Sequence, residues 1–123
     1  MDIPILKQGD ILIVSIQGAP TDSDLQTLAH QLSKRVGDHR SRGAIIDVTA
    51  LDVMDSFAAR MLRDTAHTLR LRGAETVICG IQPDAAFAMV RLGMTLEGVE
   101  TLLDLEEGIE FLHARFREGR GRG

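Results

Sequence analysis

The sequence is poor in the residues on which nucleic-acid binding depends. Tryptophan and tyrosine are absent and phenylalanine occurs only four times, so few aromatic rings are available for stacking against bases. The formal net charge of −4 points the same way, because a phosphate backbone attracts basic surfaces. We therefore expect that nucleic acid is not a partner of this protein.

Cysteine and long apolar runs are also scarce. Cys79 is the only cysteine, so no disulfide forms within the chain, which is typical of a protein in a reducing cytoplasm. No apolar run approaches the ~20 residues that cross a bilayer. The first residues, MDIPILKQGD, lack the basic region of a signal peptide. We therefore expect a cytoplasmic protein that does not enter a membrane.

The residues that are present indicate one ordinary domain with alternating elements. The 123 residues are 44% apolar and 26% charged. Two β-like runs at 3–6 and 11–16, joined by a short glycine-containing connection, predict an antiparallel hairpin. The elements after it alternate: a helix after Thr21, a strand at 44–48, a helix from Ser56, a strand at 76–81, a helix at 83–92, a short strand near 99–103 and a last helix after Asp104.

This alternation predicts an α/β fold. Its sheet is mixed and mostly parallel, with the antiparallel hairpin at the N-terminus and four flanking helices. We assign residues 1–117 to the single domain. The glycine-rich end, 118–123, is predicted to be a flexible Arg/Gly tail, because it is too short to fold.

An acidic stretch begins near the end of the strand at 44–48 and continues into the loop after it; it carries Asp47, Asp52 and Asp55. Ligands of open α/β sheets bind at the carboxyl ends of strands, so three carboxylates there suggest a Mg²⁺-binding, receiver-like domain. Such a domain also needs a lysine after a later strand. The two lysines, Lys7 and Lys34, do not follow 76–81. No other cluster of ligand-type residues occurs, so we predict neither a metal nor a cofactor.

Ser56 lies where the acidic loop enters a helix, and two interpretations are open. Its hydroxyl is expected to cap the helix, at about 1 kcal/mol. It is also a candidate for phosphorylation, because helical spacing places it on a polar face opposite the Phe57–Met61–Leu69 stripe; that face carries Ser56, Arg60, Arg63, His67 and Arg70. A phosphate there would meet the helix N-terminus and reach Arg60.

The stretch IIDVTALDVMDSFAARML resembles the STAS domain of anti-sigma-factor antagonists, in which a serine or threonine follows an acidic loop at a helix start. The similarity is strongest to the RsbS branch, the small scaffold proteins of the bacterial stressosome. Three further blocks carry it: IPILKQGDILIVSIQ, GIQPDAAFAMVRLG and LEGVETLLDLEEGIEFL. The resemblance runs from Ile3 to about Phe116.

The resemblance implies an oligomeric, non-enzymatic signalling protein. It would join larger RsbR-type STAS paralogues in a large cytoplasmic complex and hold a serine/threonine kinase of the RsbT type. That kinase would phosphorylate the residue matching Ser56 and leave, and a PP2C-type phosphatase would reset the site. Asp47, Asp52, Asp55 and Arg60 would contribute to the partner surface. A generic anti-sigma-factor antagonist of the same fold remains the alternative, with the receiver-like domain as a weaker one.

Overall fold

The computed structural model describes the backbone of residues 3–121 and the side chains of residues 3–119. Five strands are present in this part of the chain: β1 (Ile5–Gln8), β2 (Ile11–Ser15), β3 (Gly43–Asp47), β4 (Glu75–Cys79) and β5 (Glu100–Leu102). Four helices accompany them: α1 (Asp22–His39), α2 (Ser56–Leu71), α3 (Pro83–Arg91) and α4 (Leu105–Gly121). The predicted order of elements is confirmed.

The strands form one sheet in the order β1-β2-β3-β4-β5. β1 pairs antiparallel with β2, as the hairpin prediction requires, and the other neighbours are parallel. The carboxyl ends of β2, β3 and β4 therefore lie at one edge, since Ser15 is in register with Asp47, and Asp47 with Cys79. The predicted α/β class with a mixed, mostly parallel sheet is correct.

The strand boundaries differ from the predicted ones by two residues at most, and at two of them the backbone supplies the reason. β1 begins at Ile5 rather than Ile3, because Pro4 has no N–H to donate to a ladder. β4 ends at Cys79 rather than residue 81, because Gly80 turns to a positive φ of 82°.

Helices cover both faces of the sheet. The larger core lies on the face covered by α1, α2 and α3, and it includes Leu32, Ile46 and Leu69. The smaller core lies under α4, where Leu112 packs among Ile45 and neighbouring strand residues. Because β-strand side chains alternate between faces, the run 44–46 contributes to both cores, and this fixes its position in the middle layer.

The helix ends mostly follow the sequence signals. Thr21 and Asp24 form the predicted capping box of α1, with each side chain accepting from the other's backbone N–H. At α4, Asp104 accepts from the Glu107 backbone N–H, as expected of the pair. α4 continues to Gly121, beyond the boundary predicted at residue 117. Arg122 and Gly123 lie outside the described residues, so a flexible tail stays a prediction.

α2 presents a slightly different inner face from the one predicted. Leu69 and Thr65 are buried as expected, and so is Ala59, which the predicted stripe omitted. Phe57 and Met61 are only half-buried and pack at the edge of the larger core. Ala59 therefore belongs to the buried face of α2, and Phe57 and Met61 lie at its margin.

Gly80 gives a test of how the carboxyl edge of the sheet is built. A Cβ at this position would meet Thr49 Oγ1 and lie 2.9 Å from Asp47 Oδ1. We expect Gly80→Ala to lower the free energy of unfolding by about 2 kcal/mol or more, from backbone strain and this overlap together. Gly73→Ala is the control, because Gly73 has a φ of 92° but nothing within 4 Å of the added Cβ. Urea titrations giving equal losses for both variants would contradict the packing argument.

Candidate functional site

The start of α2 is capped by Asp55. Its extended backbone precedes the helix, and its Oδ1 accepts from the backbone N–H of Ala58 at 2.8 Å. Ser56 is the first residue inside the helix, so the expectation that Ser56 is the cap is wrong. A carboxylate at the N-cap also interacts favourably with the positive end of the helix, and this favours Asp55 over the neutral hydroxyl that follows it.

Because Asp55 is the cap, the Ser56 hydroxyl is able to contact a segment outside α2. Ser56 is exposed, and its Oγ donates to the thioether Sδ of Met94 at 3.2 Å. Both residues line a cleft of about 280 Å³ between α2 and the segment 93–95, together with Ala59, Arg60, Arg63, Gly93 and Thr95. A thioether is a weak acceptor, so this contact orients the hydroxyl without holding it firmly.

The second wall of this cleft belongs to the connection between α3 and β5, which is held against α2 further along. His67 Nε2 lies 2.9 Å from the carbonyl oxygen of Glu97, and Arg70 donates to the carbonyl oxygen of Gly98. A carbonyl only accepts, so His67 carries its proton on Nε2 in this contact. The C-terminal half of the predicted polar face is therefore an attachment surface for this connection, while its first residues remain open.

Two of the three aspartates of the loop have structural partners. Asp47 Oδ1 accepts from the backbone N–H and the hydroxyl of Thr49, at 2.9 and 2.6 Å. Gln82 then donates to the Thr49 carbonyl oxygen at 2.8 Å, which ties the ends of β3 and β4 together. Asp55 is the helix cap described above. Asp52 is exposed, and its backbone N–H donates to the Gly18 carbonyl oxygen at 2.9 Å.

These separate roles leave no acidic cluster of the receiver type. Within residues 3–121, no group of three or more His, Cys, Asp and Glu side chains is placed to hold a metal ion. Cys79, at the end of β4, is fully buried, and burial raises the pKa of its thiol to about 12, with Asp47 and Asp104 acting in the same direction. The thiol is therefore protonated at neutral pH and behaves as a small apolar side chain.

Sequence reasoning missed two features beside the cleft. The contact between Ser56 and Met94 joins residues 38 positions apart, and no local pattern announces it. Met94 also lines a larger apolar groove of about 700 Å³ between α3 and β5. Val90 and Leu103 line this groove and are exposed, and Phe87 and Leu92, in α3 and directly after it, are exposed as well. The sequence does contain an indication of the groove, because the segment FAMVRL at the end of α3 has more apolar residues than a single buried helix face needs.

The described residues also bear on membrane association. No helix within residues 3–121 is both long and apolar enough to span a membrane.

Comparison with known proteins identifies the family. The STAS domain model matches residues 2–107. The chain belongs to the STAS domain family. Bacillus subtilis RsbRA, an RsbT co-antagonist protein, is 30% identical over 108 residues. That match covers 88% of this chain and 39% of RsbRA, so the STAS chain spans well under half of that relative's length.

Solved structures agree with this assignment. Moorella thermoacetica RsbS, in a variant with serine replaced by glutamate, is 31% identical with a TM-score of 0.80, over 94% of this chain and 97% of that one. A chain from a structure of the stressosome, described as a signal integration and transduction hub, is 30% identical with a TM-score of 0.68, covering 93% and 99%. The unphosphorylated anti-sigma factor antagonist SpoIIAA shares the fold, with a TM-score of 0.67 at 12% identity over 90% and 97%.

Capping by Asp55 predicts that substitutions of Asp55 and Ser56 differ in their effect on stability. We expect Asp55→Ala to lower the free energy of unfolding by about 1 kcal/mol, because it leaves the Ala58 N–H without its acceptor. Ser56→Ala removes only a weak contact with Met94 and is expected to change stability by less than about 0.5 kcal/mol. Urea titrations of both variants measure the difference. A larger loss for Ser56→Ala than for Asp55→Ala would return the capping role to Ser56.

Proposed function

We propose that this STAS protein is an RsbS-like component of a stressosome. It captures a serine/threonine kinase of the RsbT type and releases it when that kinase phosphorylates Ser56. The observation that carries the proposal is the exposed Ser56 hydroxyl at the first turn of α2, in a chain that is 31% identical to RsbS over 94% of its length. The protein is a substrate and binding partner of the kinase, and it has no catalytic role of its own.

The surroundings of Ser56 favour phosphorylation by another protein. The kinase transfers the γ-phosphoryl group of ATP to Oγ: the bond to the ADP oxygen breaks, the Oγ–P bond forms, and the hydroxyl proton passes to a base of the kinase. The only hydrogen bond of that hydroxyl to the described residues is to the Met94 thioether, which is readily given up. Because Asp55 provides the cap, phosphorylation leaves the helix intact.

Release follows from the added charge. A phosphate brings about −1.5 to −2 charges at neutral pH onto a surface that bound the kinase with a neutral hydroxyl. Exposed Asp52, Asp55 and Arg60 surround that surface and are proposed to contact the partner. Asp47 is proposed to act indirectly, because its carboxylate holds the loop through Thr49. Burying an unmatched phosphate against the kinase would be strongly unfavourable.

Assembly with other STAS proteins is the second part of the proposal. We propose that RsbR-type paralogues join this chain in a large cytoplasmic complex, and that a PP2C-type phosphatase restores Ser56. Support comes from the similarity to RsbRA and to a chain of the stressosome structure. The exposed apolar side chains of α3 also favour burial against other chains, because isolated soluble domains seldom expose such clusters.

The switching mechanism predicts opposite behaviour of two Ser56 variants. Ser56→Ala keeps an uncharged surface, so we expect it to bind the RsbT-type kinase within about twofold of the parent while accepting no phosphate. Ser56→Asp introduces a permanent charge and is expected to weaken binding about tenfold or more. Kinase affinity is measured by calorimetry, and phosphorylation by mass spectrometry. Gln31→Glu, at exposed Gln31 in the middle of α1, is the charge control. Equal kinase affinity for the parent and Ser56→Asp would rule out charge-driven release.

Assembly size separates the proposal from a generic anti-sigma-factor antagonist. Mixed with an RsbR-type protein, this chain is expected to elute from a size-exclusion column in a particle of megadalton scale. A generic antagonist would stay in a small species and bind only an anti-sigma kinase. A small species at every mixing ratio would therefore favour the alternative.

A further inference from the structure

The cleft beside Ser56 is locally basic in an acidic protein. Both charged side chains that line it are arginines, Arg60 and Arg63, although the chain has a net charge of −4. They follow Ser56 by four and seven residues, so helical spacing places all three on one face of α2. The opposite wall, Gly93, Met94 and Thr95, has no ionisable group.

Neither arginine is firmly engaged elsewhere. Arg60 is exposed and forms no ion pair or hydrogen bond with the described residues. Arg63 pairs with its neighbour Asp64 at 3.2 Å, and the Asp64 side chain in this pair is 65% exposed. Exposed pairs of this kind contribute little and exchange partners easily. Asp55, the residue before Ser56, directs a carboxylate oxygen to the Ala58 N–H. Two guanidinium groups are therefore available to an anion at Ser56.

We propose that this cleft receives the phosphoryl group of Ser56 itself, held by Arg60 and Arg63 of the same chain. The inference rests on the proposed phosphorylation of Ser56 and adds the site that holds the modified residue. Guanidinium groups bind phosphate oxygens through paired, charge-assisted hydrogen bonds. The phosphorylated Oγ has no proton left to donate, so its contact with Met94 ends and the side chain is free to turn toward the arginines.

Such a clamp has a consequence for the lifetime of the modified state. A phosphate held by two guanidinium groups presents fewer free oxygens to the metal ions of a PP2C-type phosphatase, so dephosphorylation is slowed. Loss of the clamp should therefore shorten the lifetime of phosphorylated Ser56 once the phosphate is in place.

The full chain with phosphoserine installed at position 56 during translation allows a direct test by ³¹P NMR at low ionic strength. An unconstrained phosphoserine has a second pKa of about 6, and we expect the second pKa of the phosphate on Ser56 to be lower. Arg60→Gln and Arg63→Gln together should raise it by about half a unit or more. Arg35→Gln with Arg117→Gln is the control, because it removes the same charge from α1 and α4, away from the cleft-lining residues.

A second measurement distinguishes contact from a general effect of charge. The Nε–H signals of Arg60 and Arg63 are expected to shift on ionisation of the phosphate, while that of Arg35 stays in place. An unchanged second pKa in the Arg60→Gln/Arg63→Gln variant, with its fold intact by circular dichroism, overturns the clamp. The outcome is independent of any kinase: failure of the kinase to modify Ser56 would remove the proposed function and leave the titration result standing.

Discussion

The site depends on a single charge-assisted hydrogen bond, from the Ala58 N–H to the Asp55 carboxylate. An uncapped helix start leaves backbone N–H groups unsatisfied, and a neighbouring hydroxyl would be drawn in to replace the missing acceptor. Because Asp55 fills this role, the Ser56 hydroxyl is left outside the helix's own hydrogen bonding and points across to Met94. The two adjacent residues thus have separate roles. Asp55 caps the helix, and the Ser56 hydroxyl remains available for chemistry.

The sheet places this helix start where partners are able to reach it. Parallel pairing of β2, β3 and β4 aligns their carboxyl ends, and the loop that leaves β3 is stiffened by Asp47, Thr49 and Gln82 before it turns into α2. On the other side, His67 and Arg70 fasten the connection before β5 to the same helix. Ser56 therefore stands on a rigid helix between two anchored loops. An added phosphate changes the charge of this surface while its shape is held by contacts elsewhere.

Much of this arrangement was accessible from the sequence, and the exceptions have physical causes. Hydrophobic periodicity and glycine positions predicted every element, because each helix and strand buries a face with its own repeat. The proposal that Ser56 accepts a phosphate came from the four blocks that resemble RsbS. The cap was misassigned, because Asp55 and Ser56 are both good N-cap residues and one residue of backbone geometry decides between them. The Met94 contact and the inward Ala59 depend on how α2 packs against distant segments, and local patterns carry no information about that packing.

The charge distribution is compatible with the two roles proposed for Ser56, in kinase binding and in kinase release. In the proposed mechanism the kinase meets the unmodified surface, where Ser56 is uncharged and the Asp55 carboxylate accepts from the Ala58 N–H. After modification the anion lies within reach of guanidinium groups and the helix N-terminus, so the protein tolerates it far better than a kinase interface lacking matching cations would. In the proposed mechanism, the difference in free energy between these two environments drives dissociation. This dissociation requires no change of fold, and only the hydrogen bond from Ser56 Oγ to Met94 Sδ has to break.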